Sequence, residues 1–109
     1  MAITANVNLG DGVTASSCYL IVPQAYVKKF RPEKDGEDAT YKLIYDVAIY
    51  QNKAAADTHN LQERNRKRLR CRAVDHFKID YDVTTTDNPW KLAYTHLKTN
   101  TNLSSVSDA

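Results

Sequence analysis

Glycine is scarce in this chain: three residues in 109, Gly10, Gly12 and Gly36, each in a turn-like context. That excludes a glycine-rich loop whose backbone N–H groups could cradle a phosphate. Cysteine is limited to Cys18 and Cys71 and histidine to His59, His76 and His96. No two cysteines and no two histidines stand at the two-to-five-residue gaps that zinc modules use, and Cys71 and His76, an odd number apart, would point to opposite faces of a strand, so no metal and no cofactor is expected. Long apolar runs are missing as well. No stretch approaches the ~18 residues of a membrane helix, and Met1 to Leu9 alternates where a secretory leader would carry a basic and then an apolar block. The expectation is a protein made in a cytoplasm, with both thiols reduced and packed as small hydrophobes. A net charge of +2 is too small a bias to imply a nucleic-acid partner by itself.

What is present suits one modest core. Apolar residues make up 42% and charged residues 26%, ordinary for a single globular domain of this length. Seven tyrosines exceed the other aromatics together, and tyrosine favours strands with one dry and one wet end. Ile3, Ala5, Val7 and Leu9 alternate with polar residues, the period-two pattern of a half-buried strand. Gly10-Asp11-Gly12 supplies a tight reversal into a second strand, 14–22, with Cys18 to Val22 nearly continuous in apolar character. Pro23 cannot donate to a ladder, so it should end or bulge that strand, with pairing resumed over 25–30. A polar turn follows at Lys34-Asp35-Gly36-Glu37-Asp38, then a strand through Tyr41, Leu43, Tyr45, Val47 and Ile49. Residues 51–66 show no strand pattern, beyond one helical turn over 53–56.

Leu69, Cys71, Ala73, Phe77, Ile79, Tyr81 and Val83 share one parity, which predicts a long strand with a bulge near Val74-Asp75. Asp87 or Asn88 can cap a helix that begins at Pro89, and Trp90, Ala93, Tyr94 and Leu97 form its apolar stripe. The fold class is therefore α+β: a small antiparallel sheet or sandwich-like meander of about four strands with one short C-terminal helix. Residues 1–98 form the β-rich domain, and 99–109 a polar tail with too little apolar surface to hold itself in a core.

Catalytic arrangements do not assemble. Cys18 lies in an apolar strand, which raises a thiol pKa, and strand parity turns Cys71 away from Arg70 and Arg72. Asp80 and Asp82 stand roughly 6–7 Å apart on one strand face, a spacing generic to solvated strand surfaces. No base, nucleophile and oxyanion donor come together, so the chain reads as non-enzymatic.

The charged feature above background is Arg64, Arg66, Arg68, Arg70 and Arg72, with Lys67 between them. On a strand starting near 66, Arg66, Arg68, Arg70 and Arg72 would project from one face at roughly 7 Å intervals. Aligned cations repel and need negative charge opposite. It could come from Asp46, Asp80, Asp82 or Glu63 of this chain, from an acidic neighbouring subunit, or from nucleic acid. Nucleic acid is disfavoured, because interleaved aromatics are lacking and the acid-rich 75–87 stretch opposes phosphate. These four arginines are the partner-binding candidates.

Met1-Ala2-Ile3-Thr4-Ala5-Asn6-Val7-Asn8-Leu9, its glycine turn and the return at 15–21 form one half of a likeness. Asp87-Asn88-Pro89-Trp90-Lys91-Leu92-Ala93-Tyr94-Thr95-His96-Leu97-Lys98-Thr99 forms the other, and the Ala54-Ala55-Ala56-Asp57 turn after Tyr50 also fits. Together they resemble a family of small structural proteins of tailed bacteriophages. The resemblance covers about half the chain, and the basic 62–72 segment departs from it. It implies a virion component of the tail or baseplate region, or alternatively of the capsid or neck, with no catalytic residues. It would dock on other virion proteins in multiple copies as a homo-oligomer within an assembly, with no membrane.

Overall fold

The computed structural model describes residues 2–10 and 12–109. Met1 and Asp11, named above in the N-terminal motif and the first turn, lie outside the described residues. The chain order is β1 (Ile3–Gly10), β2 (Val13–Phe30), β3 (Thr40–Tyr50), α1 (Lys53–Ala56), α2 (Leu61–Lys67), β4 (Arg68–Leu69), a 3-10 turn (Arg72–Val74), β5 (His76–Asp80), α3 (Pro89–Leu97) and β6 (Leu103–Asp108). Among the described residues the sheet has six strands, not about four. Its order is β4-β3-β2-β1-β6, with β5 also paired to β3, and every pairing is antiparallel. The α+β class stands, as one sheet with helices on it.

The alternation read from the sequence fixes the buried face. Ile3, Ala5 and Val7 of β1, Cys18, Leu20 and Val22 of β2, and Leu43, Tyr45, Val47 and Ile49 of β3 form one cluster with Ala93, Tyr94 and Leu97 of α3. The opposite face of β3 is covered too. Ala48 and Tyr50 are buried where Ala56 and Leu61 of the two short helices lie near them. Asn52 caps α1 by accepting from Ala55 N, and Asn60 caps α2 by accepting from Glu63 N.

Pro23 behaves as its chemistry requires. The β2–β3 register shifts between Ile21 and Gln24, leaving a bulge at Val22-Pro23. α3 fills the ladder bonds lost there: Val22 N donates to the Tyr94 hydroxyl at 2.8 Å, and Trp90 Nε1 donates to Val22 O at 3.1 Å. α3 itself starts as expected, with Asn88 accepting from Lys91 N and Pro89 in the first turn.

Three expectations fail. The 99–109 tail is not unsupported: Leu103–Asp108 forms β6 on β1, Leu103 is buried, and Lys98 and Asp108 pair at 2.5 Å. Backbone pairing with β1 supplies what two apolar residues cannot, and α3 is therefore not the last element. The long 69–83 strand is broken, since the 3-10 turn at Arg72–Val74 separates β4 from β5 and Val83 is 59% exposed. Trp90 is 44% exposed, so its ring edge borders the core instead of filling it.

Both partners of β1 bulge, β2 opposite Asn6 and β6 opposite Ala5. Ser17 and Ser105 adopt positive φ (53° and 52°), and the Asn6 side chain accepts from Ser17 N at 2.8 Å. The bulge in β6 interrupts the regular edge that this outer strand would otherwise offer to another chain.

Candidate interaction surface

The four partner-binding candidates do not share a strand face. Arg66 is exposed on α2, Arg68 lies on β4, Arg70 is exposed between β4 and the 3-10 turn, and Arg72 opens that turn. Arg64 and Arg66 both sit on α2, where two residues span about 200° of rotation, so they point to different sides. The row expected from a period of two is dispersed by a helix in its first half and a turn at its end.

Only Arg68 of the four has recorded partners among the described residues. Its guanidinium donates to Val47 O at 2.7 Å and to Asp75 Oδ1 at 3.2 Å. The Val47 backbone N–H donates to Asp75 O at 2.8 Å, extending the ladder. Arg68 therefore fastens the broken 68–75 segment to β3, an internal role. Asp46, Asp80, Asp82 and Glu63 do not answer the arginines. Asp46 meets His76 at 2.5 Å, Asp80 pairs with Lys42, Asp82 accepts from Thr84, and the Glu63 backbone N–H donates to Asn60.

The chemistry at the remaining groups is limited by the same geometry. Hydrogen bonding and the charge of Lys42 hold the Asp80 carboxyl below its ordinary range, and hydrogen bonds from Thr84 do the same for Asp82. Neither carboxyl is raised as a general acid's would be. Burial pushes the Cys18 thiol up, and Cys71 is buried with its Sγ donating to Asn8 O at 3.4 Å. The Cys18 environment disfavours a thiolate. The two cysteines are free. No group of three or more His, Cys, Asp or Glu able to hold a metal ion occurs among the described residues. No helix among them is long and apolar enough to cross a membrane.

An open hollow lies where α3 diverges from β5, lined by Leu43, Ile79, Tyr81, Leu92 and His96. Asp80, Asp82, Thr85, Thr95 and Thr99 line it as well, and His96 is already engaged, because the Tyr45 hydroxyl and His96 Nδ1 meet at 2.5 Å and both rings pack on Phe77.

A second cationic surface escapes a reading that follows the arginines. Register puts Lys28 directly opposite Lys42, and Tyr26, Ile44 and Lys78 side by side across β2, β3 and β5. These residues face away from Ala25, Val27, Leu43 and Tyr45, which belong to the core. Lys28 Nζ and Lys78 Nζ stand 5.3 and 4.3 Å from the centroid of one ring, Phe30. The signal was available in the sequence as even-numbered Tyr26, Lys28 and Phe30, yet the Lys78 contribution needed the pairing.

No family model, curated protein or solved structure matches the chain.

Proposed function

We propose that this chain is a structural subunit of a tailed-bacteriophage virion, placed in the tail or baseplate region, without catalytic activity, that docks on neighbouring virion proteins in many copies. The observation that carries this reading is shape. The Cα radius of gyration is 15.8 Å and the extents are 50 × 31 × 25 Å, whereas a compact chain of this length has a radius near 13 Å. The excess reflects the long β2–β3 hairpin, whose outer end from Lys28 to Thr40 runs past the α3-covered core into an exposed 31–39 loop. An arm that buries little of its own surface gains most from a neighbour's surface.

The bacteriophage-like ends add to this. Their two halves meet in space, because β1 from the first pairs with β2, and α3 from the second caps the β2 bulge. Docking by Arg66, Arg68, Arg70 and Arg72 acting as one row is not part of the proposal, since Arg68 is engaged internally. Mass spectrometry of fractionated particles tests the assignment. The chain should co-purify with tail or baseplate fractions at a fixed ratio to known virion proteins, and its absence from intact particles overturns the proposal.

A further inference from the structure

We propose that the outer face of the β2–β3–β5 arm, bearing Lys28, Lys42 and Lys78, receives the acidic 33–38 loop of a second copy of this chain. This deepens the structural reading above and rests on it only in taking the chain to act in many copies.

The argument starts from unbalanced charge on both sides. Lys28 lies directly across the ladder from Lys42, an arrangement that like charges disfavour. Lys78, on the neighbouring strand, reaches over the same Phe30 ring as Lys28. A ring face attracts ammonium groups but carries no net charge to neutralise them. Of the three lysines, only Lys42 has a recorded carboxylate partner, Asp80. Three cations against that one carboxylate leave an excess of two positive charges.

The loop at the arm's tip carries the complement. Glu33, Asp35, Glu37 and Asp38 are exposed, and none has a recorded ion pair among the described residues. Against Arg31 and Lys34 they leave an excess of two negative charges. Within one chain no ion pair joins these carboxylates to Lys28, Lys42 or Lys78 among the described residues, and the loop turns at Gly36, at positive φ, beyond the last paired residues Phe30 and Thr40. In a second copy the loop is free to approach that face from outside. One copy's tip on another's flank is a heterologous contact, which builds rings when the rotation closes and filaments when it does not.

A nucleic-acid ligand fits the same face less well. Single-strand binders offer successive open rings for base stacking. Here Tyr26 is half-exposed, while Phe30 is already covered by two ammonium groups. The acidic tip beside the patch also opposes a phosphate chain.

Sedimentation velocity of the purified chain over a concentration series, at low and high salt, tests the contact. Association should rise with concentration and weaken at high salt. The double variant Lys28→Glu/Lys78→Glu, and separately Asp35→Lys/Glu37→Lys, should each weaken it by about tenfold or more. Circular dichroism confirms that each variant folds, and mixing the two charge-reversed chains should restore association between them. A wild-type chain that stays monomeric at every concentration overturns the proposal, as does association that neither reversal changes. Binding of a single-stranded oligonucleotide that Lys28→Glu/Lys78→Glu abolishes, without self-association, also overturns it, in favour of phosphate. Presence in particles without self-association removes this contact and leaves the structural role; self-association by a chain absent from particles does the reverse.

Discussion

The Val22 backbone N–H donates to the Tyr94 hydroxyl, 72 residues away, at 2.8 Å in a buried setting. Pro23 creates the need for that bond: the bulge it imposes removes Val22 from the β3 ladder, and an unpaired buried N–H costs about 1–3 kcal/mol. α3 is therefore held to the sheet by a polar latch as well as by its apolar stripe.

Tyr94→Phe keeps the ring and deletes the acceptor. It should lower stability by about 1–3 kcal/mol, and thermal unfolding should shift down by roughly 4–8 °C per kcal/mol. An unchanged melting midpoint would show that Val22 finds another partner.

Leu97 and Trp90 separate burial from contact. Leu97 is fully buried, so Leu97→Ala should cost about 2–5 kcal/mol. Trp90 is 44% exposed, so Trp90→Ala should cost less than the ~3–5 kcal/mol of a fully buried aromatic. Chemical denaturation of both variants should rank Leu97→Ala as the more damaging.

The arginines should behave unequally. Arg68→Ala loses its bonds to Val47 O and Asp75, an expected cost of about 1–2 kcal/mol. Arg66→Ala and Arg70→Ala, at exposed positions, should stay within about 0.5 kcal/mol of the parent. Equal losses across the three, read by denaturant midpoints, would revive the idea of a single cooperating row.

Deleting 101–109 removes β6 and bares the β1 edge. The truncated chain should melt lower and aggregate, because an unpaired strand invites edge pairing. In the full chain, backbone amides that pair β1 with β6 should exchange slowly with solvent. Rapid cleavage by protease within 103–108 would contradict the docked strand.

Alkaline stability should fall for a specific reason. Burial pushes the Tyr45 phenol far above its ordinary value, and burial is also the main cause raising Tyr94. A folded-state pKa above the unfolded one contributes stability that is complete below about pH 10 and is lost as pH rises towards the folded value. Denaturant midpoints should therefore decline above about pH 10, and Tyr45→Phe should flatten that decline.

Much of this was written locally. The alternation at 3–9 and 41–49, the proline at 23 and the Asn88-Pro89 start of α3 each act through neighbours in sequence, by pleat geometry, a missing N–H and capping. The 60–67 helix carried a local sign as well: Asn60 with Glu63 three residues on, followed by good helix formers. A spacing of two among the arginines competed with that sign, and a two-residue period also occurs by chance along a helix.

Tertiary structure decided what depended on distant partners. Leu103 and Val106 are too few to announce a strand, and β6 exists because β1 offers its open edge to the chain's last residues. Whether Arg68 is a surface cation or an internal tie was settled by where Val47 and Asp75 come to lie. Lys28, Lys42 and Lys78 are separate in sequence and gather because three strands align in register. Backbone preference is a local property, so the sequence determined the elements other than β6; charge acts through space, so the arrangement of strands determined which charges meet.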